Sequence, residues 1–249
     1  MNISIVILIK NGGATISKTL DSLKAFDDII IYDTGSTDNT HEIIKRYANV
    51  TFLQGDFLGF GITRNKAALN AKNDWVLALD CDEVLDSELV NNLKSIHLDN
   101  HTVYTLNFIS YYKDIKIKHC GWNNQKISRI YNKNITNFNS NHVHENIDID
   151  KLKTQSIDGN IHHYSYQSIS EFIIKIDRYS TLFANDNVGK KYSSPFKAFY
   201  NGVYSFFKTY ILKKGFLDGY SGLLISFSHM ATNFYKYLKL YEMNKSIEK

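Results

Sequence analysis

In the N-terminal part of the chain, apolar runs of strand length alternate with stretches whose apolar residues recur at helical spacing. Ile3 to Ile9 is a continuous apolar run that stops at Lys10-Asn11-Gly12-Gly13, and Ile16, Leu20 and Leu23 then mark a helix. Asp28 to Tyr32 reads as a second strand, followed by a helix carrying Ile43, Ile44 and Tyr47. Val50 to Leu53 is a short third strand, Gln54 to Gly61 a glycine-bearing loop, and a helix surrounds Ile62 to Leu69. The apolar run Trp75 to Leu79 ends abruptly in Asp80-Cys81-Asp82-Glu83, and a helix from about Ser87 to Ile96 turns Leu89, Val90, Leu93 and Ile96 inward. Such alternation predicts a mostly parallel sheet with right-handed crossovers, in which ligands sit beyond the carboxyl ends of the strands.

From Val103 the pattern changes. Strand-like pieces, Val103 to Ile109, Ile127 to Tyr131 and Ile157 to His163, alternate with polar loops until Ser168. This stretch reads as an antiparallel annex to the sheet. Ser168 with Glu171 forms a capping box, with Ile169, Phe172, Ile173, Ile176, Tyr179 and Phe183 on one face of the helix below it. Pro195 suits the first turn of another helix, which carries apolar residues from Phe196 to Ile211. After Gly215-Phe216-Leu217-Asp218-Gly219 a last helix shows Leu223, Leu224, Phe227, Ala231, Phe234, Leu238 and Tyr241; Asp218 reads as a cap on it. The expected organisation is one domain over residues 1–166, with a donor half at about 1–100 and an acceptor half at about 101–166, and a helical extension over 167–249.

Composition narrows the class. A net charge of +4, with no Lys/Arg run longer than a pair, argues against nucleic acid as a partner. Two cysteines, Cys81 and Cys120, suit a reducing compartment better than a disulfide scaffold. Met1 to Leu8 lacks a basic leader and a small-residue cleavage site, and Gly219 to Tyr235 is too polar for a membrane helix. The 17 Tyr and 15 Phe need a use. In the C-terminal helices they have two readings: a platform packed against the sheet, or an interfacial helix pair on an anionic membrane, beside Lys208, Lys213, Lys214, Lys236 and Lys239.

Chemistry gathers where strands end. Asn11, Asp33 and Asp80 stand at three such ends. Asp80-Cys81-Asp82-Glu83 crowds three carboxylates, whose repulsion asks for a cation or a donor network. A divalent ion held by one or two carboxylates, with a substrate diphosphate completing its shell, meets that need for Mg²⁺ or Mn²⁺; a solvated acidic turn is the alternative. Lys10-Asn11-Gly12-Gly13-Ala14-Thr15 lacks the Gly-x-Gly-x-x-Gly order, which disfavours NAD. Cys81 lies between carboxylates that raise a thiol's pKa and is expected to be inert.

Several of these residues together resemble glycosyltransferase family 2, the inverting enzymes of GT-A fold: Lys10-Asn11 closing the first strand, Asp33-Thr34-Gly35-Ser36-Thr37-Asp38, Arg64-Asn65, and Asp80-Cys81-Asp82-Glu83. Cys120-Gly121-Trp122, Arg129-Ile130-Tyr131, Val143-His144-Glu145, His163-Tyr164-Ser165-Tyr166, Arg178-Tyr179-Ser180 and Lys214 to Gly219 resemble the bacterial branch that adds glucose or a similar hexose to the lipopolysaccharide inner core. The resemblance implies a Rossmann-like, mostly parallel α/β sheet with an antiparallel annex and C-terminal helices. It also implies a UDP-sugar donor, a divalent cation, a lipid-linked oligosaccharide acceptor, and a place at the cytoplasmic face of the inner membrane.

Residue by residue, the resemblance implies donor contacts from Asn11, Asp33, Ser36, Arg64, Asn65 and Asp80, with Asp33 at the uracil or ribose. Asp82, together with Asp80, would ligate the metal. The general base would be a carboxylate of the later half, for which Glu145 is the candidate, and the acceptor would meet Trp122, Arg129, His144 and His163. Trp122 reads equally well as a core anchor. Two departures stand out: Gly12 replaces the Glu that relatives usually carry, and Asn123-Asn124-Gln125 lacks the acid that often follows the Gly-Trp pair. Competing readings are the same chemistry on a capsular, teichoic-acid or protein acceptor, and a non-catalytic nucleotide-sugar-binding or scaffold protein.

Overall fold

Continuous apolar strands demand a sheet covered on both faces, and the computed structural model, which describes residues 2–123, 125–140 and 145–247, has one. In chain order the first unit contains β1 (Ile3–Ile9), α1 (Ile16–Ser22), β2 (Ile29–Asp33), α2 (Thr40–Ile44), β3 (Val50–Gln54), α3 (Phe60–Ala68), β4 (Trp75–Asp80), β5 (Glu83–Leu85) and α4 (Ser87–Ser95). β6 (Thr102–Tyr112), the two-residue β7 (Ile115–Lys116), β8 (Gln125–Asn132) and β9 (Lys153–Tyr166) follow. The strand order is β3-β2-β1-β4-β8-β6-β9-β5, with β7 pairing β6. β1 pairs in parallel with β2 and β4, β2 with β3, whereas β8 runs antiparallel to β4. This is the mixed α/β architecture expected from the sequence.

The period-two geometry of strands splits the core into two layers. Ile5, Ile7, Ile29, Ile31, Leu77 and Leu79 pack with Ile16, Leu20, Leu89 and Leu93 on one face. Val6, Leu8, Ile30, Tyr32, Val76 and Ala78 pack with Ala67, Ala68, Tyr131 and Phe138 on the other. The annex strands are longer than the apolar pieces that signalled them, because antiparallel pairing continues through polar residues. β5 escapes the sequence reading altogether: Glu83-Val84-Leu85 resembles an acidic turn until β9 pairs with it.

A second unit comprises residues 110–123 and 164–249. It contains α5 (Ile169–Asn187), α6 (Pro195–Phe207) and α7 (Gly219–Ile247). α6 gives way to a π-helical turn at Lys208–Leu212 and a 3-10 turn at Gly215–Asp218, four residues before the Ile211 that sequence periodicity had placed in one helix with Pro195. Ser168 accepts from the Glu171 N–H, and Ser194 from that of Lys197 behind Pro195, so both helix starts obey their sequence signals. Its core joins Tyr112, Ile117, Cys120, Phe172 and Ile225. Asp218 does not cap α7. Its carboxylate accepts from the backbone N–H groups of Lys118 and His119 at 3.3 and 2.8 Å and meets the His119 ring, fastening that loop. Among the described residues no helix is long and apolar enough to cross a membrane.

In the first unit, Asp86 ties α4 to β9. Its Oδ1 accepts from Leu89 N at 2.8 Å, and its Oδ2 from the backbone and side-chain nitrogens of Asn160 at 3.0 and 2.9 Å. Gly159 makes the approach possible: at φ +103° a Cβ would lie 2.4 Å from Leu89 N. Burial opposes the charged carboxylate, but the bonds from Leu89 and Asn160 hold its pKa below the ordinary value. Asp86→Ala is expected to cost about 1 kcal/mol in urea melts near neutral pH. With the folded pKa depressed, this stabilisation is complete above the unfolded carboxylate value of about 3.9 and disappears as pH falls through the folded one. The gap between wild type and variant therefore narrows below about pH 4; a constant gap would contradict the assignment.

Candidate active site

The parallel register puts the expected strand ends side by side. Ile9 of β1 is paired with Asp33 of β2, and Leu8 with Asp80 of β4, so the two acids flank one strand, roughly 10 Å apart at ordinary strand spacing. Both belong to the carboxyl edge of the sheet.

The loops after β1 and β2 are laced together. Asn11, at φ 55°, donates its backbone N–H to Ser36 Oγ at 2.8 Å and accepts at Oδ1 from Thr37 N at 2.7 Å. Gly12 N donates to Thr40 Oγ1 and Gly13 N to Asp38 Oδ2. Asp33 is fully buried, with Oδ1 receiving Gly35 N, Ser36 N and Ser36 Oγ and Oδ2 meeting the His41 ring. Burial opposes its charge, yet His41 and Ser36 hold the carboxyl below its usual range. Asp33 therefore shapes this turn from within, and His41, which no sequence signal marked, is its partner. The room at Gly12 is small: a Cβ would stand 2.6 Å from Ile9 Cδ1 and 3.2 Å from Cys81 Sγ, so the neighbours must shift to admit a larger residue.

The tip of β4 is a ladder of opposite charges. Arg64, on α3 and 1% exposed, donates to Leu79 O at 3.2 Å and to Asp80 Oδ1 at 2.5 Å. Its Nε lies 3.8 Å from Glu145 Oε1. Arg129, on β8 and 8% exposed, donates to Glu83 Oε1 at 2.6 Å, reaches Asp80 Oδ2 at 3.5 Å, and stands over the Phe108 ring at 5.1 Å. Glu83 closes the turn by accepting from Asp80 N at 2.9 Å. Next along it, Asp82 meets His163 of β9 at 3.5 Å.

The ladder separates its acids. Asp80 loses solvation but gains Arg64 and Arg129, which hold it well below the ordinary range. Glu83 is buried deeper, and although Arg129 opposes the effect, burial and the neighbouring Asp80 charge push it up to about 7. His163 is raised because Asp82, then Glu83 and Asp80, outweigh its burial. Burial, with Asp82 and Asp80 beside it, raises the Cys81 thiol far above the range in which it would be a nucleophile.

Asp80, Asp82, Glu145, Arg64, Arg129 and His163 are thus brought together. Asn65, expected at the donor, has both ends of its carboxamide taken by the Phe138 backbone, Nδ2 donating at 2.8 Å and Oδ1 accepting at 3.0 Å. Trp122 belongs to the second unit, where it stacks with Tyr166 at 5.7 Å and Phe172 at 6.5 Å. His144 lies outside the described residues.

The donor set suits a hard cation. Asp80 and Asp82 keep 34% and 22% of their side-chain surface, both offer oxygen, and the ladder's carboxylates outnumber its guanidiniums. Among the described residues no three-ligand cage exists, so a cation here would take two carboxylates from the protein and complete its shell elsewhere.

A parallel sheet with acids at neighbouring strand tips, an antiparallel annex and C-terminal helices defines a GT-A glycosyltransferase. Residues 4–168 match the family model described as Glycosyl transferase family 2, and the chain belongs to that family. It is 29% identical over 258 residues to an uncharacterized glycosyltransferase of Rickettsia typhi, covering 97% of this chain and 87% of the relative. It is 34% identical over 118 residues to the poly(ribitol-phosphate) beta-glucosyltransferase of Bacillus spizizenii, covering 43% of this chain and 19% of that one. The structure of S. aureus TarS residues 1–349 with UDP aligns with a TM-score of 0.47 at 15% identity, covering 100% and 91% of the two chains; against a longer TarS chain the match spans 40% of it.

Removing one member of a buried pair strands the other's charge. Arg129→Met is expected to lower stability by about 3–5 kcal/mol in urea melts. Combining it with Glu83→Leu should recover much of the loss; additive losses would show that the pair is not coupled.

Proposed function

We propose that this chain is an inverting, cation-dependent transferase that moves a hexose, glucose in the first instance, from a UDP-sugar to the inner core of lipopolysaccharide or lipooligosaccharide at the cytoplasmic face of the inner membrane. The observation that carries the reading is the gathering of Asp80 and Glu145 around Arg64 at the tip of β4, with Asp82 next along the turn against His163. In such a reaction the acceptor oxygen forms a bond to the anomeric carbon, and the electron pair of the breaking bond leaves with the diphosphate. A divalent cation held by Asp82, with Asp80, would act as a Lewis acid toward that diphosphate. Glu145, 19% exposed at the side chain, takes the acceptor's proton. Arg64 and Arg129 work through Asp80, keeping it ionised and fixed. The Asn11–Ser36 lacing and the Asp33–His41 turn shape the nucleoside end, while His163 serves the acceptor.

The motif residues around Cys120-Gly121-Trp122 and Lys214 to Gly219 support the inner-core acceptor. A second reading, a polyol-phosphate acceptor of teichoic-acid type, is supported by the likeness to the B. spizizenii enzyme. UDP release from UDP-glucose with Mn²⁺, measured with each acceptor class, separates the two.

Asp82→Ala is expected to abolish nearly all transfer. Glu145→Gln should leave the UDP-glucose thermal shift intact while lowering turnover by roughly 100-fold or more. Wild-type turnover in Glu145→Gln would remove it from the role of base.

A further inference from the structure

The second unit carries a helix whose amphipathicity is inverted. On a surface helix in water the largest apolar side chains turn inward. In α6 the buried residues are instead Ala198 and Gly202, with Gly202 placed so close to α7 that a Cβ would sit 3.2 Å from that of Phe234. The rings face out: Phe196 is 78% exposed, Phe199 58%, Tyr200 62% and Phe207 48%, with Val203 and Tyr204 between them. Their spacing of three and four residues makes one continuous stripe. The turns that follow prolong it through Leu212 and Leu217, at 59% and 57%.

Charge identifies what covers the stripe. From Asn187 to Leu217 there is no Asp or Glu, while Lys190, Lys191, Lys197, Lys208, Lys213 and Lys214 fall within the same segment. The acid that ends it, Asp218, has a side chain only 4% exposed and is occupied by His119. A second copy seated on this face would bring lysines against lysines. An anionic bilayer surface would take both features at once, rings entering the headgroup boundary and ammonium groups meeting lipid phosphates.

The geometry points to the α6 stripe, with Lys208 and Lys214 at its end, as a docking surface for anionic lipid. This extends the reading of a lipid-linked acceptor and fails separately from it, because lipid binding is measured without donor and UDP release without vesicles.

The test is co-sedimentation of the full chain with vesicles of phosphatidylcholine alone or mixed with phosphatidylglycerol. Wild type is expected to pellet with the mixed vesicles, and raising salt should release it. Phe196→Ser/Phe199→Ser should weaken binding at least tenfold, and Lys208→Gln by about fivefold at low salt, with UDP release unchanged in each. Phe196→Ser alone, at the most exposed ring, serves if the double variant folds poorly. No pelleting of wild type, equal pelleting of the variants, or light scattering that shows a dimer dissolved by Phe196→Ser would each overturn the assignment.

Discussion

Two guanidiniums held out of water govern the centre of the first unit. An ionised group of that size is too costly to bury unless carboxylates and carbonyls surround it. Arg64 and Arg129 therefore draw α3, the tip of β4, β5 and β8 into a single arrangement in which Asp80 lies between them. The carboxylates come into register because the cations demand them. The ladder leaves Asp80 and Asp82 partly open at the rim while Glu83 is sealed beneath.

This division of labour explains how one short acidic stretch holds several different acids. Asp80 is held ionised by two cations, Glu83 is raised by burial, and Asp82 faces His163. Adjacent residues in sequence differ because the turn points each into a different environment. Glu83, by accepting from Asp80 N, also fixes the angle at which the strand ends. The same economy operates after β2, where Asp33 commits its carboxylate to its own turn and to His41.

The second unit solves a different problem. Its core is a modest aromatic cluster around Phe172 and Tyr166, whose rings lie 3.7 Å apart and nearly parallel. Small residues let the helices approach: Gly202 lies on Phe234, and Gly222 meets the Gly215 carbonyl, where a Cβ would stand 1.8 Å away. With the contact made by glycine and alanine, the large rings of α6 are left for the outside.

Much of this was present in the linear order of residues. Unbroken apolar runs determined the buried parallel strands, helical spacing the layers on either side, and Ser168 and Pro195 the starts of the later helices, because these signals act over a few neighbouring residues. Strand ends rich in Asn and Asp determined where polar side chains would gather. Tertiary structure decided what each polar group does there. Arg129 reads as an acceptor contact, and only the fold shows that β8 places it between Glu83 and Asp80. Asn65 reads as a donor contact until Phe138, 73 residues away, takes both ends of its amide. His41 carries no signal until its ring reaches Asp33, and Glu83-Val84-Leu85 becomes a strand only beside β9. The physical reason is common to all of them: local pattern fixes which face of an element is apolar, whereas the partner of a buried charge or amide is set by segments that meet only after the chain has folded.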